Sequence, residues 1–134
     1  MIIKEYSNYK EKEILTLYSA VGWTAYTQSP DSLRAGFAKS LLILAAYDDD
    51  ELVGLIRCVG DWETIVYIQD ILVSPEYQRQ GIGSALLQEV VSHFSHVRQI
   101  VLSTDREERT LQFYKSLGFV PMEQIGCCGF MYSK

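Results

Sequence analysis

The chain has 134 residues, the size of one compact domain, and its ordinary mixture of apolar and charged residues with only 3 prolines excludes a disordered or fibrous protein. Seventeen acidic residues against twelve basic ones give a formal charge of -5, which argues against a nonspecific hold on nucleic acid or on an anionic membrane. Cys58 and the adjacent Cys127 and Cys128 have the spacing of neither a disulfide framework nor a zinc site, so a reducing cytoplasm is expected and no metal. The longest apolar run, Leu41 to Tyr47, falls far short of the ~20 residues that cross a bilayer, and the first residues lack an apolar signal core. The sequence is therefore expected to be the whole mature chain, folded as one domain over residues 1–134.

Ile2 to Tyr6 alternates as a short strand. From Tyr9 to Val21, Ile14, Leu17, Tyr18 and Val21 recur at helical spacing, and Gly22 can end that helix. Ser29-Pro30-Asp31 marks a second helix start, whose buried stripe is Leu33, Phe37 and Leu41. Leu41 to Tyr47 and Leu52 to Val59 flank the acidic turn Asp48 to Glu51 as a hairpin. Thr64 to Ser74, rich in Ile, Val and Tyr, is a central strand closed by Pro75. After a glycine loop, Ile82, Ala85, Leu86, Val90, Phe94 and Val97 form the apolar face of a third helix. Ile100 to Thr104 is a strand and Glu107 to Leu117 a helix; Gly118 lets Phe119 fold back on that helix. Phe119 to Ile125 and Gly129 to Tyr132 read as two last strands. The predicted class is α/β (α+β): a mixed, mostly antiparallel sheet of six to seven strands with four helices, in the order β-α-α-β-β-β-α-β-α-β-β.

The chemistry is carried by the passage from Tyr67 to Leu87. A strand runs through a loop with two glycines directly into a helix, so main-chain N–H groups and the positive helix end converge on one spot suited to a pyrophosphate. Gly81 and Gly83 keep side chains out of the way, and Arg79 offers a charge-assisted contact. The loop has no Walker lysine and not the glycine spacing of a dinucleotide fingerprint, which disfavours ATPase and dehydrogenase readings. His93 and His96 lie three apart with no further ligand cluster, as on a solvated helix end.

Gln78-x-x-Gly81-x-Gly83 after Ile71-Leu72-Val73-x-Pro75, followed by Phe113-Tyr114-x-x-x-Gly118-Phe119, resembles the GNAT superfamily of acetyl-CoA-dependent N-acetyltransferases. The resemblance covers nearly the whole chain. It implies acetyl-CoA as cosubstrate, with Gln78, Arg79, Gln80, Gly81, Ile82, Gly83 and Ser84 around its pyrophosphate. It also implies a splay of the central strand at a bulge near Ile71–Val73, where free backbone of Ile71, Leu72 and Val73 pairs with the pantetheine arm and an N–H near Leu72 faces the thioester oxygen. Tyr114 is implied as the acid that protonates the leaving thiolate. Family glutamates often stand where this chain has Gln69 and Tyr67, and neither is a good base. Strict alternation puts Tyr67, Gln69, Ile71 and Val73 on one face and Asp70 on the other unless the bulge re-aims it. Asp70 is one candidate base and a water chain lined by Gln69 and Tyr67 the other. Glu107 replaces an asparagine that many members place against pantetheine, so that contact is not carried over.

By the same resemblance the Gly22 to Thr27 loop walls the acceptor pocket, with Trp23, Tyr26 and Tyr67 as substrate-binding residues; the rings of Trp23 and Tyr26 either offer flat faces to an amine or simply pack the loop onto the sheet. Cys127 and Cys128 are expected to be small buried residues. The implied activity is acetyl transfer to a primary amine of a small molecule, and a likeness to plant arylalkylamine acetyltransferases points to an aryl or alkyl amine. The alternatives are a protein lysine or N-terminal acetyltransferase and a noncatalytic acyl-CoA-binding module. Neither nucleic acid nor membrane is an expected partner, and exposed strands at the C-terminal edge offer a surface for a homodimer.

Overall fold

In the computed structural model, which describes residues 1–134, the elements run β1 (Ile2–Glu5), α1 (Glu11–Ala20), α2 (Thr24–Thr27), α3 (Pro30–Ala38), β2 (Leu42–Asp48), β3 (Glu51–Gly60), β4 (Ile65–Val73), α4 (Ile82–His93), β5 (Gln99–Leu102) and α5 (Glu108–Ser116). The chain divides into two compact units, Met1–Ser103 and Thr104–Lys134.

The first unit is a five-stranded sheet in the order β1-β2-β3-β4-β5, antiparallel except for the parallel pair β4 and β5. One face carries the core built from Ile14, Leu17 and Tyr18 of α1, Leu33 and Phe37 of α3, and Ile43, Ala45, Leu52, Leu55 and Leu72 of the strands. Tyr18 is wholly buried among these apolar groups, and burying such side chains is worth about 1.5–3 kcal/mol each. On the opposite face α4 packs against β2, β3 and β4. A Cβ on Gly54 would come within 3.0 Å of Ile82 Cγ2 and 3.4 Å of Leu86 Cδ1, so this glycine lets the start of α4 lie close on β3.

Helix α1 ends as its glycine suggests, with Trp23 N–H donating back to the Tyr18 carbonyl at 3.1 Å. The single-turn α2 lies inside what the sequence reads as loop; one turn has no apolar periodicity to read. Pro30 opens α3 as expected, although the Ser29 hydroxyl makes no capping bond.

The second unit holds α5, whose Phe119 N–H reaches the Tyr114 carbonyl at 3.1 Å so that the two rings meet edge to face at 6.0 Å. The two expected C-terminal strands do not form, leaving five strands rather than six to seven, and five helices with α2 counted rather than four. Pro121 has no N–H for a ladder, Met122–Ile125 coils into a 3-10 turn, and Gly126 reverses the chain at φ 81°. Beyond it Cys127 and Cys128 are exposed rather than buried, as are Phe130, Met131 and Tyr132.

Candidate active site

The pairing of β4 with β5 runs from Ile65 opposite Gln99 only to Ile68 opposite Leu102, whereas its pairing with β3 continues to Val73. From Gln69 to Val73 one edge of β4 is therefore bonded and the other is open. β5 itself ends at Leu102, so beyond Ile68 this edge of β4 has no strand partner.

Its bulge lies earlier than Ile71–Val73. Cys58 pairs with Ile68 and Arg57 with Asp70, so Gln69 is the extra residue of β4. A bulge of this kind changes the parity of a strand. Adjacent Arg57 and Cys58 point to opposite faces, and their partners Asp70 and Ile68 must do the same. Strict alternation from Tyr67 to Val73 is thus corrected: Tyr67, Gln69 and Asp70 share the face of α1 and α3, while Ile71 and Val73 pair with Ile56 and Gly54 on the face of α4.

The re-aimed Asp70 is 2% exposed and accepts three hydrogen bonds. Its Oδ2 takes Arg57 Nε at 2.7 Å and the Tyr18 hydroxyl at 2.8 Å; its Oδ1 takes the Tyr26 hydroxyl at 2.7 Å. Arg57 is held in turn by Ser40 Oγ, 3.2 Å from Nη1, and by the Phe37 ring, 5.4 Å from the guanidinium carbon. Both members of this buried pair are engaged, as burial of charge requires. Burial and the neighbouring Asp70 push the Tyr18 phenol far above its ordinary range. Burial also raises the Tyr26 phenol, and the Asp70 carboxylate adds to the rise while the bond from Gln69 opposes it.

Toward the outside, Gln69 Nε2 donates to the Tyr26 oxygen at 3.2 Å, and Tyr67 donates to Ser103 Oγ at 2.8 Å. Trp23 lies beside Tyr26 with ring centroids 6.1 Å apart, and both rings also meet Tyr18 edge to face. The structure therefore gathers Trp23, Tyr26, Gln69 and Asp70 into one cluster, held over the core by α2. Arg57 and Tyr18 belong to it and were not singled out from the sequence. The available signal was Arg57 itself, a lone charge in the apolar run Leu52 to Val59, which calls for a buried partner.

Past Val73 the loop is tied back by Gln78, whose Nε2 donates to the Val73 carbonyl at 3.0 Å. Gln78, Arg79, Gln80 and Gly81 are exposed; Arg79 and Gly81 have φ of 63° and 85°, a left-handed pair that turns the chain into α4. No side chain caps α4, so the first N–H groups of this helix are left for another acceptor. The Ile82 side chain lies in the core, so any contact from it to a ligand is through the main chain. Leu72 is buried too, and its N–H and C=O pair with Leu55, two places along from the Ser74 N–H that donates to the Val53 carbonyl at 2.8 Å, which leaves the main-chain groups of Ile71 and Val73 facing away from β3. An uncapped helix start with glycine at its entrance and a guanidinium beside it fits a diphosphate.

In the second unit Tyr114 is partly buried. Burial first, and the charge of Asp105 second, push its phenol up to about 12.

Several known proteins share this design. A GNAT-family acetyltransferase from Streptococcus pneumoniae superposes with a TM-score of 0.90 at 39% identity, covering 99% of this chain and 97% of the other. An aminoglycoside 6'-N-acetyltransferase solved with coenzyme A has a TM-score of 0.72 at 20% identity, over 88% of this chain and 84% of its own, a likeness of fold. In sequence, GCN5-related N-acetyltransferase 2, chloroplastic, of Arabidopsis thaliana is 34% identical over 71 residues, 53% of this chain. The chain spans between 28% and 68% of the length of the curated relatives it matches. Residues 8–119 match the Acetyltransferase (GNAT) family. That match runs through β4, the glycine loop and the fold-back after α5, and the chain belongs to this family.

Proposed function

We propose that the chain is an N-acetyltransferase that moves the acetyl group of acetyl-CoA directly to a primary amine of a small molecule, with residues 1–134 as one catalytic domain. The observation that carries this reading is the open edge of β4 from Gln69 to Val73, leading into the uncapped start of α4. A strand edge and a helix start, in that order, match an extended amide-bearing arm followed by a diphosphate.

Bound acetyl-CoA supplies a thioester open to attack by a neutral amine. The main-chain N–H groups of Ile82, Gly83 and Ser84, with Gln78, Arg79, Gln80 and Gly81 around them, hold the pyrophosphate. The main chain of Ile71 and the Val73 N–H point away from β3 and are offered to the arm on either side of Leu72, whose own N–H and C=O pair with Leu55. One of these N–H groups flanking Leu72 faces the thioester oxygen. Held in this way the acetyl group needs little further ordering before attack. Tyr114 keeps its proton at neutral pH, its phenol standing at about 12, and gives it to the departing thiolate. Asp70, with both oxygens engaged, acts through Tyr26 and not on the amine itself. The amine proton leaves through water bordered by Gln69 and Tyr67.

The aromatic wall of Trp23 and Tyr26 supports a small amine as acceptor, and so does the relative named for aminoglycosides. Thiol release from acetyl-CoA over a panel of aryl, alkyl and polyamine acceptors and lysine peptides tests the reading. Turnover with small amines is expected. Turnover with peptides alone makes the chain a protein acetyltransferase, and coenzyme A binding without turnover of any acceptor makes it a binding module; either overturns the reading.

A further inference from the structure

The Tyr26 hydroxyl has its direction fixed by its surroundings. A carboxylate has no proton to give, so across the 2.7 Å contact with Asp70 Oδ1 the phenol must be the donor. Asp70 cannot turn away, because its other oxygen is held by Arg57 and Tyr18. Tyr26 cannot turn away either. Its ring lies against those of Tyr18, at 5.2 Å, and Trp23, and its N–H is bonded to the Trp23 carbonyl at 3.2 Å.

With its one proton committed inward, the phenol offers only lone pairs outward. Gln69 is oriented to match this polarity, its amide nitrogen donating to the Tyr26 oxygen at 3.2 Å, a long bond from an exposed side chain. Gln69 stands on the bulge, at the first position of the open edge of β4. We propose that Tyr26 is a specificity-determining residue whose oxygen, made an obligate acceptor by Asp70, receives an N–H of the acceptor amine and selects primary ammonium groups over equally charged groups without N–H. The inference rests on the acetyltransferase reading above and adds the atom that recognises the acceptor.

In this arrangement the amine donates to Tyr26 beside, or in place of, Gln69, with Trp23 as the adjoining aromatic wall. A charge-assisted hydrogen bond accounts for about a tenfold to hundredfold preference. A role for Tyr26 in merely holding Asp70 predicts no preference that depends on its hydroxyl.

The test uses an amine that the wild type acetylates and its N,N,N-trimethyl analogue, which keeps the charge and loses every N–H. Binding of each to the coenzyme A-loaded protein is measured by calorimetry in the wild type and in Tyr26→Phe. The wild type is expected to hold the primary amine at least about tenfold more tightly, and Tyr26→Phe to shrink the ratio severalfold with coenzyme A affinity unchanged. An unchanged ratio in Tyr26→Phe overturns the inference and leaves the catalytic reading standing. Should that variant not fold, the wild-type ratio decides alone, equal binding of the two compounds overturning the inference. A wild type that acetylates no amine at all overturns both.

Discussion

Asp70 and Arg57 form a buried ion pair in which each partner is the other's reason for being there. Removing one charge strands the other in a site with little access to water, so Asp70→Asn is expected to cost about 3–5 kcal/mol in urea unfolding. Tyr18→Phe keeps the pair and loses one bond to a charged acceptor, a smaller loss of about 1.5–3 kcal/mol. Equal losses for the two variants would contradict this ranking. For the acid, Tyr114→Phe should lower kcat by about 10²–10⁴ with the coenzyme A affinity held, as single-turnover kinetics would read. A phenylalanine enzyme of undiminished kcat takes Tyr114 out of the chemistry.

Among the elements, β4 and α4 decide the site, and the close seat of α4 depends on Gly54. Gly54→Val introduces branching where Ile82 Cγ2 already stands 3.0 Å from a Cβ, so an overpacking cost of about 1–3 kcal/mol is expected, together with weaker coenzyme A binding as the start of α4 moves off β3. Unaltered stability and affinity would mean that α4 has slack here. The loop from Gln78 to Ser84 and its neighbours were legible in sequence because glycine, proline and a 3.6-residue apolar period each leave a local mark. The face presented by Asp70 was not. The Gln69 bulge is fixed by register against β3, across residues distant in sequence, and an alternation rule applied along β4 alone assigns Ile71 and Val73 to the wrong side. Arg57 and Tyr18 escaped for the same reason, since they meet Asp70 only once the sheet and α1 have assembled.

For the molecule as a whole, buried groups that keep their protons make alkaline pH weaken the fold. Burial pushes the Cys58 thiol from its ordinary 9.0 up to about 12, and the Tyr47 phenol from 10.0 to about 12, with the bond to Glu13 adding to the latter. Both groups ionise in the unfolded chain before they do so in the folded one, so the folded state binds more protons between these values and stability falls as pH rises. Tm is expected to hold below about pH 9 and fall above it, with Cys58→Ala delaying the onset toward pH 10; a Tm constant to pH 11 would contradict this. At this scale the sequence misleads at the C-terminus. Phe119 to Ile125 and Gly129 to Tyr132 have strand composition, yet Pro121 and the left-handed Gly126 prevent a ladder, and the sheet ends at β5. The order of the preceding elements was readable because each carries its own periodicity and stop signal.

The binding of coenzyme A at the corner where β4 hands over to α4 is tested most directly by titrating it calorimetrically into the wild type, Gly81→Ala and Gly81→Glu. A Cβ at Gly81 meets nothing within 4 Å, so both substitutions strain the same left-handed backbone while only glutamate brings negative charge. Clear heat with the wild type, a modest loss for alanine and at least about a tenfold further loss for glutamate, lessened by salt, are the predicted results. Absence of heat with the wild type, or equal affinities for the alanine and glutamate variants, would contradict the placement of the diphosphate.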